Sequence, residues 1–317
     1  MADTKRLYEH ISIDSDKVQR IFSDYDGQLH VKKIKPITTG MSTSNYEVLT
    51  NKGPSLLKIY PGSNNHSSKE ISAYKYARTV IQVPDIHYSR SGTGLNENYA
   101  IFQFINGKTL DCYIKEQNEF PAAAAYEIGR MLGLLHNREY PLIALLDDRL
   151  EVKQAVMPFH QQYEFYLNGF TGKHLGEKFT AQLLDFVDSN RNMVKAIDEK
   201  NVFVHGDFNP SNILIDKKGS AWFIDFEYCY AGPPYSDIGK LLRARKQIKY
   251  DNEEVYKKFE AGYNSKAKEP LPAEWLTLSK IADIATMLAL INRETIPAGW
   301  AEEIKNDCRA IMQQMEK

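Results

Sequence analysis

Cysteine is scarce. Only three occur in 317 residues, Cys112, Cys229 and Cys308, and they stand far apart. An odd, dispersed set suggests neither a disulfide framework nor a C-x-x-C metal knuckle, and it fits a reducing, cytoplasmic compartment. Long apolar runs are missing too. Nothing approaches the ~18 consecutive residues of a membrane span, and the N-terminus, MADTKRLYEH, carries no apolar core of a signal peptide. An excess of either charge is also lacking. Lys and Arg number 40 against 41 Asp and Glu, a net charge of −1. That balance argues against nucleic acid or an anionic membrane as the main partner. No internal repeat or low-complexity tract is present. What is there is 43% hydrophobic and 26% charged, enough to bury a core and to exclude a disordered or fibrous chain. At ~150 residues per domain, the length predicts about two lobes.

The first third reads as strands with one helix. Residues 30–37 are a β-prone run, followed by the hydroxyl-rich segment Thr38-Thr39-Gly40-Met41-Ser42-Thr43-Ser44. Residues 46–49 and 55–60 read as a hairpin around Asn51-Lys52-Gly53-Pro54. Residues 67–80 carry Ile71, Tyr74 and Ala77 at helical spacing. YAIFQFI (99–105) is a short buried strand, broken by Asn106-Gly107. The lobe boundary falls there, dividing 1–105 from 106–317. The remainder is mainly helical. Pro121 suits the first turn of a helix reaching about His136, with Ile128, Met131, Leu132 and Leu135 as its apolar stripe. Further helices are expected over 179–197, 274–291 and 301–315. One β island, 202–227, interrupts this helical part.

That island, VFVHGDFNPSNILIDKKGSAWFIDFE, carries the chemistry. An apolar strand runs into a turn rich in Gly, Asp, Asn and Pro. A strand over 212–216, a turn at Lys217-Lys218-Gly219-Ser220 and a strand over 221–225 follow. An antiparallel hairpin on that turn would set Asn212 opposite Asp225, with Cβ atoms ~4.5–5.5 Å apart. An amide oxygen and a carboxylate so placed can share one hard cation, and Mg²⁺ takes oxygen ligands together with substrate phosphates. Asp207, five residues before Asn212, can accept a proton from a substrate hydroxyl attacking a metal-bound phosphoryl group.

HGDFNPSN (205–212) followed by IDFE (224–227) resembles the aminoglycoside phosphotransferase and choline kinase group, which shares the protein-kinase-like fold. The resemblance implies Asp207 as catalytic base and Asn212 and Asp225 as holders of Mg²⁺. LLKIY (56–60) resembles the strand whose Lys reaches the ATP α- and β-phosphates, implicating Lys58. KEISAYKYA (69–77) resembles the helix whose Glu pairs with that Lys, implicating Glu70. AIFQFINGKTL (100–110) resembles the hinge that binds adenine through its backbone, implicating the Gln103 C=O and the Ile105 N–H. EIGRMLGLLH (127–136) resembles the helix after the hinge, where His136 is structural. The implied fold is α+β and bilobal. It has a small antiparallel-sheet N-lobe with one helix, and a larger, mainly helical C-lobe carrying a catalytic β-hairpin.

Departures from the family pattern narrow the reading. The phosphate loop has one glycine, Gly40, with hydroxyls at Ser42, Thr43 and Ser44 and local N–H groups as candidate phosphate donors. IDFE replaces DFG, and no A-P-E motif follows. After Glu227 the chain passes almost directly into YSDIGKLLR, leaving no room for an activation segment of protein-kinase length. A small hydroxyl acceptor is therefore expected over a protein. Glu227 is read either as a solvated strand end or as a contact for a second metal or a cationic substrate group. Asp237 and His205 are read as structural, Asp237 as the brace of the catalytic loop. Aromatic residues over 159–170 and the acidic Glu302, Glu303 and Asp307 are candidates for the acceptor pocket, with core packing and a solvated helix face as the plainer readings. The expected activity is transfer of the γ-phosphoryl group of ATP or GTP to an alcohol. Aminoglycosides, other hydroxylated antibiotics, choline, ethanolamine, homoserine and sugars stay open as acceptors. A protein kinase and a catalytically silent nucleotide-binding regulator are the rival classes.

Overall fold

The computed structural model describes residues 10–38, 42–62, 67–92, 98–243 and 253–315. Helix α1 (Ser15–Tyr25) begins where the Asp14 carboxylate accepts from the Lys17 N–H, a side-chain cap on the first turn. Strands β1 (Val31–Ile37), β2 (Ser44–Thr50) and β3 (Gly53–Ile59) form a meander, then α2 (Ser67–Ala77) leads to β4 (Ile86–Arg90) and β5 (Tyr99–Gln103). The five strands make one sheet in the order β1-β2-β3-β5-β4. Strand periodicity decides what each face carries. Tyr46 and Val48 of β2 and Leu57 and Ile59 of β3 join Val18, Ile21 and Phe22 of α1 in one buried cluster. Lys58, between Leu57 and Ile59, points to the opposite face. The N-lobe thus has a second helix, α1, beyond the one expected.

The chain then forms β6 (Gly107–Thr109), α3 (Leu110–Gln117) and α4 (Ala122–Leu135). Pro121 is the N-cap of α4, and all four residues of its expected stripe are buried. Next come β7 (Glu139–Tyr140), β8 (Ala144–Leu146) and β9 (Val152–Ala155), strands outside the single expected island. Helices α5 (Phe159–Leu167), α6 (Phe170–Leu175), α7 (Glu177–Ser189) and α8 (Arg191–Ile197) follow. The one helix expected over 179–197 is two, interrupted at Asn190, whose side chain donates to the Phe186 carbonyl. An Asn that satisfies a carbonyl of the preceding turn competes with helix continuation.

β10 (Asn201–Val204), a short 3-10 turn (Pro210–Asn212), β11 (Ile213–Asp216), β12 (Ala221–Phe223) and β13 (Tyr230–Gly232) build the island. β10 sits in a sheet of order β7-β10-β13-β8-β9, and the hairpin β11–β12 pairs with β6 in a second small sheet. Four helices close the fold: α9 (Pro234–Leu241), α10 (Glu253–Asn264), α11 (Trp275–Leu290) and α12 (Trp300–Met315). The main core includes α4, α9 and α11 and takes in Ile71, Tyr74 and Ala77 of α2. Helix α2 is therefore packed onto the helical lobe. Lys69 donates to the Cys229 carbonyl at 2.9 Å and Tyr76 Oη to the Leu135 carbonyl at 3.3 Å.

Candidate active site

The turn over residues 205–212 hangs from the end of β10. Gly206 has φ +80°, and a Cβ there would lie 2.1 Å from the Tyr228 carbonyl oxygen, so only glycine fits. Asp237, fully buried at the start of α9, accepts the His205 N–H at 2.6 Å and the Gly206 N–H at 3.0 Å. His205 is buried as well. Its Nδ1 accepts the Asp207 N–H at 3.3 Å, so its Nε2 donates to the Ile224 carbonyl at 2.9 Å. The ring also lies 4.5 Å from that of Phe226. Both residues hold the turn, as their structural reading requires.

Asp207 and Asn212 meet directly. Asn212 Nδ2 donates to the Asp207 carbonyl at 2.8 Å and to its Oδ2 at 2.9 Å. That fixes the amide so that its other atom, an oxygen, remains for a ligand. Lys240 of α9 donates to the Gly206 carbonyl at 2.6 Å and to Asp207 Oδ1 at 3.3 Å. Burial pushes the Asp207 carboxyl up, but the Lys240 ammonium beside it outweighs that and holds it below the ordinary carboxylate range. Asp207 is thus an ionised acceptor at neutral pH.

The hairpin register differs by one residue from the expected one. Ile213 pairs with Phe223 and Leu214 with Trp222, so Asn212 opposes Ile224, whose N–H donates to the Asn212 carbonyl at 3.0 Å. Strand β12 ends at Phe223, and Asp225 leaves the ladder with φ +71°. The left-handed turn is supported by the Asp225 N–H donating to Tyr74 Oη at 2.8 Å.

That turn aims Asp225 at Lys58. Lys58 Nζ bonds Glu70 Oε1 at 2.7 Å and Asp225 Oδ1 at 2.8 Å. Burial opposes the charge on Lys58, yet Asp225 and Glu70 override it and raise its pKa well above the ordinary value. Burial pushes the Glu70 carboxyl up, against the pull of Lys58. Glu70 and Tyr74, four residues apart on one face of α2, thus grip Lys58 and Asp225 respectively.

Glu227 is not a solvated strand end. It is 2% exposed, its Oε2 is buried without a hydrogen-bond partner, and burial plus the neighbouring Asp225 push its pKa up to about 7. Ser42 Oγ lies 3.3 Å from Tyr228 Oη, on the residue after Glu227. Ser44 departs from its expected role. As the first residue of β2 it turns to the α1 side, where its Oγ accepts the Ile11 N–H at 2.8 Å, away from the Lys58 face. Gly40 lies outside the described residues. Gln103 ends β5, its Oε1 accepting the Asp85 N–H at 3.3 Å, and the Ile105 carbonyl accepts the Gly107 N–H at 3.0 Å. Tyr163 is fully buried in the core, and Phe159 and Tyr166 pack with it. Tyr74 and Lys240 were not among the expected site residues. Lys240 had a sequence signal: it follows Asp237 by three residues, one helical turn along the same face.

The model of the phosphotransferase enzyme family matches residues 33–275. The chain belongs to that family. No curated protein sequence matches it. Solved structures share the protein-kinase-like fold at low identity. A putative fructosamine-3-kinase from Thermobifida fusca YX-ER1 is 14% identical with a TM-score of 0.63, over 95% of this chain and 100% of that one. Aminoglycoside phosphotransferase APH(4)-Ia is 12% identical with a TM-score of 0.68, over 95% and 99%. A microcompartment-associated aminopropanol kinase is 16% identical with a TM-score of 0.64, over 96% and 97%. A thermostable mutant of APH(4)-Ia was crystallised with AMP-PNP and hygromycin B. Among the described residues, no helix is long and apolar enough to cross a membrane.

Proposed function

We propose that this protein is a small-molecule kinase that transfers the γ-phosphoryl group of ATP, or of GTP, to an alcohol. The observation that carries the reading is the pair of ion pairs that Lys58 Nζ makes with Glu70 and Asp225, which joins the sheet lobe to the segment after the catalytic hairpin. A buried cation held by two carboxylates, one of them partly open, is suited to nucleotide phosphates. On this reading residues 1–105 bind the nucleotide and 106–317 carry catalysis and the acceptor. The backbone of Gln103 and Ile105 faces adenine. Ser42 flanks the phosphates.

Mg²⁺ fits the donor set. Asn212 and Asp225 would hold it through oxygen. The partnerless Glu227 Oε2, buried near Asp225, adds an orphaned oxygen of the kind a cation satisfies. Among the described residues no cluster of three or more His, Cys, Asp or Glu forms a metal site. That agrees with Mg²⁺, which needs only one or two carboxylates plus phosphates and water. When bound, the ion would neutralise charge on the transferring phosphoryl group. Asp207 accepts the hydroxyl proton as the acceptor oxygen bonds to phosphorus. The bond from phosphorus to the bridging oxygen breaks, and ADP leaves with the electron pair. The short path from Phe226 through β13 into α9 favours a small acceptor over a protein.

The test is coupled ADP release from Mg-ATP across aminoglycosides, macrolides, choline, ethanolamine, homoserine and sugars, with Asp207→Ala as control. Acceptor-dependent release that vanishes in the control supports the reading. Mg²⁺-independent nucleotide binding without turnover on any acceptor would instead favour a silent regulator.

A further inference from the structure

We propose that Lys240 is the positioning residue of the transfer reaction, fixing the Asp207 carboxylate for the acceptor hydroxyl. The inference rests on Asp207 being the base. Helix α9 holds the catalytic turn by two side chains one turn apart. Asp237 takes the N–H groups of His205 and Gly206, while Lys240 takes the Gly206 carbonyl and reaches Asp207 Oδ1. One helix therefore holds Gly206 at both its N–H and its C=O. This grip falls where the chain is most free, at a glycine with φ +80° immediately before the base.

The carboxylate itself is held from both oxygens. Asn212 Nδ2 lies 2.9 Å from Oδ2 and Lys240 Nζ 3.3 Å from Oδ1. Two donors on opposite oxygens fix its rotation. The two contacts of Lys240 differ in kind. The short bond, 2.6 Å, is to a neutral carbonyl, and the carboxylate contact is longer. The amine is thus anchored on the backbone and only steers the carboxylate, so Asp207 keeps the lone pair it needs as a base. A surface ion pair would contribute little, but the Lys240 side chain is only 16% exposed and its first partner is backbone.

The experiment compares kcat and KM for wild type, Lys240→Met, Lys240→Gln and Lys240→Arg. It uses ADP release from Mg-ATP with the best alcohol of the panel, or with water where hydrolysis alone is measured. Calorimetric ADP binding is read on each variant. A misplacement near 1 Å costs about 10²-fold in rate. Lys240→Met should lose kcat on that scale, with KM for Mg-ATP and ADP affinity unchanged. Lys240→Gln keeps a donor for the Gly206 carbonyl and so guards against misfolding. It should fall between Met and wild type, and Lys240→Arg should recover most of the rate. Wild-type kcat in Lys240→Met, or loss of ADP binding in parallel with rate in all three variants, overturns the proposal. If wild type itself shows no turnover sensitive to Asp207→Ala, the reading of the site falls first, and the role of Lys240 with it.

Discussion

At the scale of single residues, the site is an exercise in paying for buried charge. Lys58 is 7% exposed at its side chain and Glu70 0%, so neither ion has water and each depends on the other. Removing one partner of such a pair leaves an uncompensated ion and costs about 3–5 kcal/mol. Lys58→Met should lower the unfolding free energy by about that much, with Lys58→Met/Glu70→Gln recovering part of it, as urea denaturation would read. A wild-type midpoint in Lys58→Met would contradict the pairing. Asp207→Ala should behave differently. It should lose about 10²–10⁴-fold in kcat while ADP binding, measured calorimetrically, stays near wild type. Much at this scale was legible in the sequence, because Lys58, Glu70, Asp207, Asn212 and Asp225 stand in a recognisable order. Ser44 was not, because a hydroxyl in a loop-like stretch says nothing of which sheet face it will occupy. Nor was the burial of Glu227, since a carboxylate at a strand end usually meets water.

Among elements, the turn over residues 205–212 rests on packed helices outside it. Helices α4 and α10 approach so closely that a Cβ on Gly262 would lie 2.0 Å from the Tyr126 carbonyl oxygen. Gly262→Ala should destabilise the fold by about 1–3 kcal/mol through overpacking, with KM for ATP unchanged in the folded fraction. Between these helices and α9 lies His136, bonded to Tyr263 Oη at 3.0 Å and to Asp237 at 3.3 Å. Burial pushes the His136 pKa below its ordinary value, against the pull of Asp237. A histidine with a depressed folded pKa binds fewer protons folded than unfolded. Stability should therefore rise with pH through the window below about 6.5, by at most ~1.4 kcal/mol per pH unit for one group. His136→Gln should flatten that part of the profile in urea titrations from pH 5 to 7.5, and an unchanged slope would remove His136 as its source. The long apolar elements were legible, α4 and α11 to within a residue or two. Strands β7 to β9, two to four residues each, carry too little pattern to be seen. The hairpin register slipped by one because the turn is one residue tighter than expected: the Asp216 N–H donates to the Ser220 carbonyl at 3.0 Å, with Gly219 at φ +81°.

For the whole molecule, the two lobes are tied at the site and beside it. Lys58 meets Asp225 across the cleft, Lys69 of α2 meets the Cys229 carbonyl, and the Phe223 N–H donates to the Gln82 carbonyl at 3.2 Å. Arg138 is stacked between Tyr76 of α2, at 5.0 Å, and Tyr140 of β7, at 5.4 Å. With α2 thus fixed to the helical lobe, the cleft carries its charged groups already assembled. Mg-ADP should then raise the melting temperature, and Asp225→Asn or EDTA should remove most of that rise. An equal rise without the metal would contradict the assignment of Asp225 and Asn212. The bilobal plan was legible because strand-rich and helix-rich halves differ in period. The acceptor was not, because no residue pattern outside the proposed phosphate site names it.

The central claim is transfer of a phosphoryl group to a small alcohol with Asp207 as the base. The most direct measurement is mass spectrometry of each acceptor after incubation with Mg-ATP and either wild type or Asp207→Ala. The account predicts one acceptor class that gains a single phosphoryl group with wild type and gains it at least about 10²-fold more slowly with the variant. Phosphorylation at the wild-type rate in Asp207→Ala would contradict it.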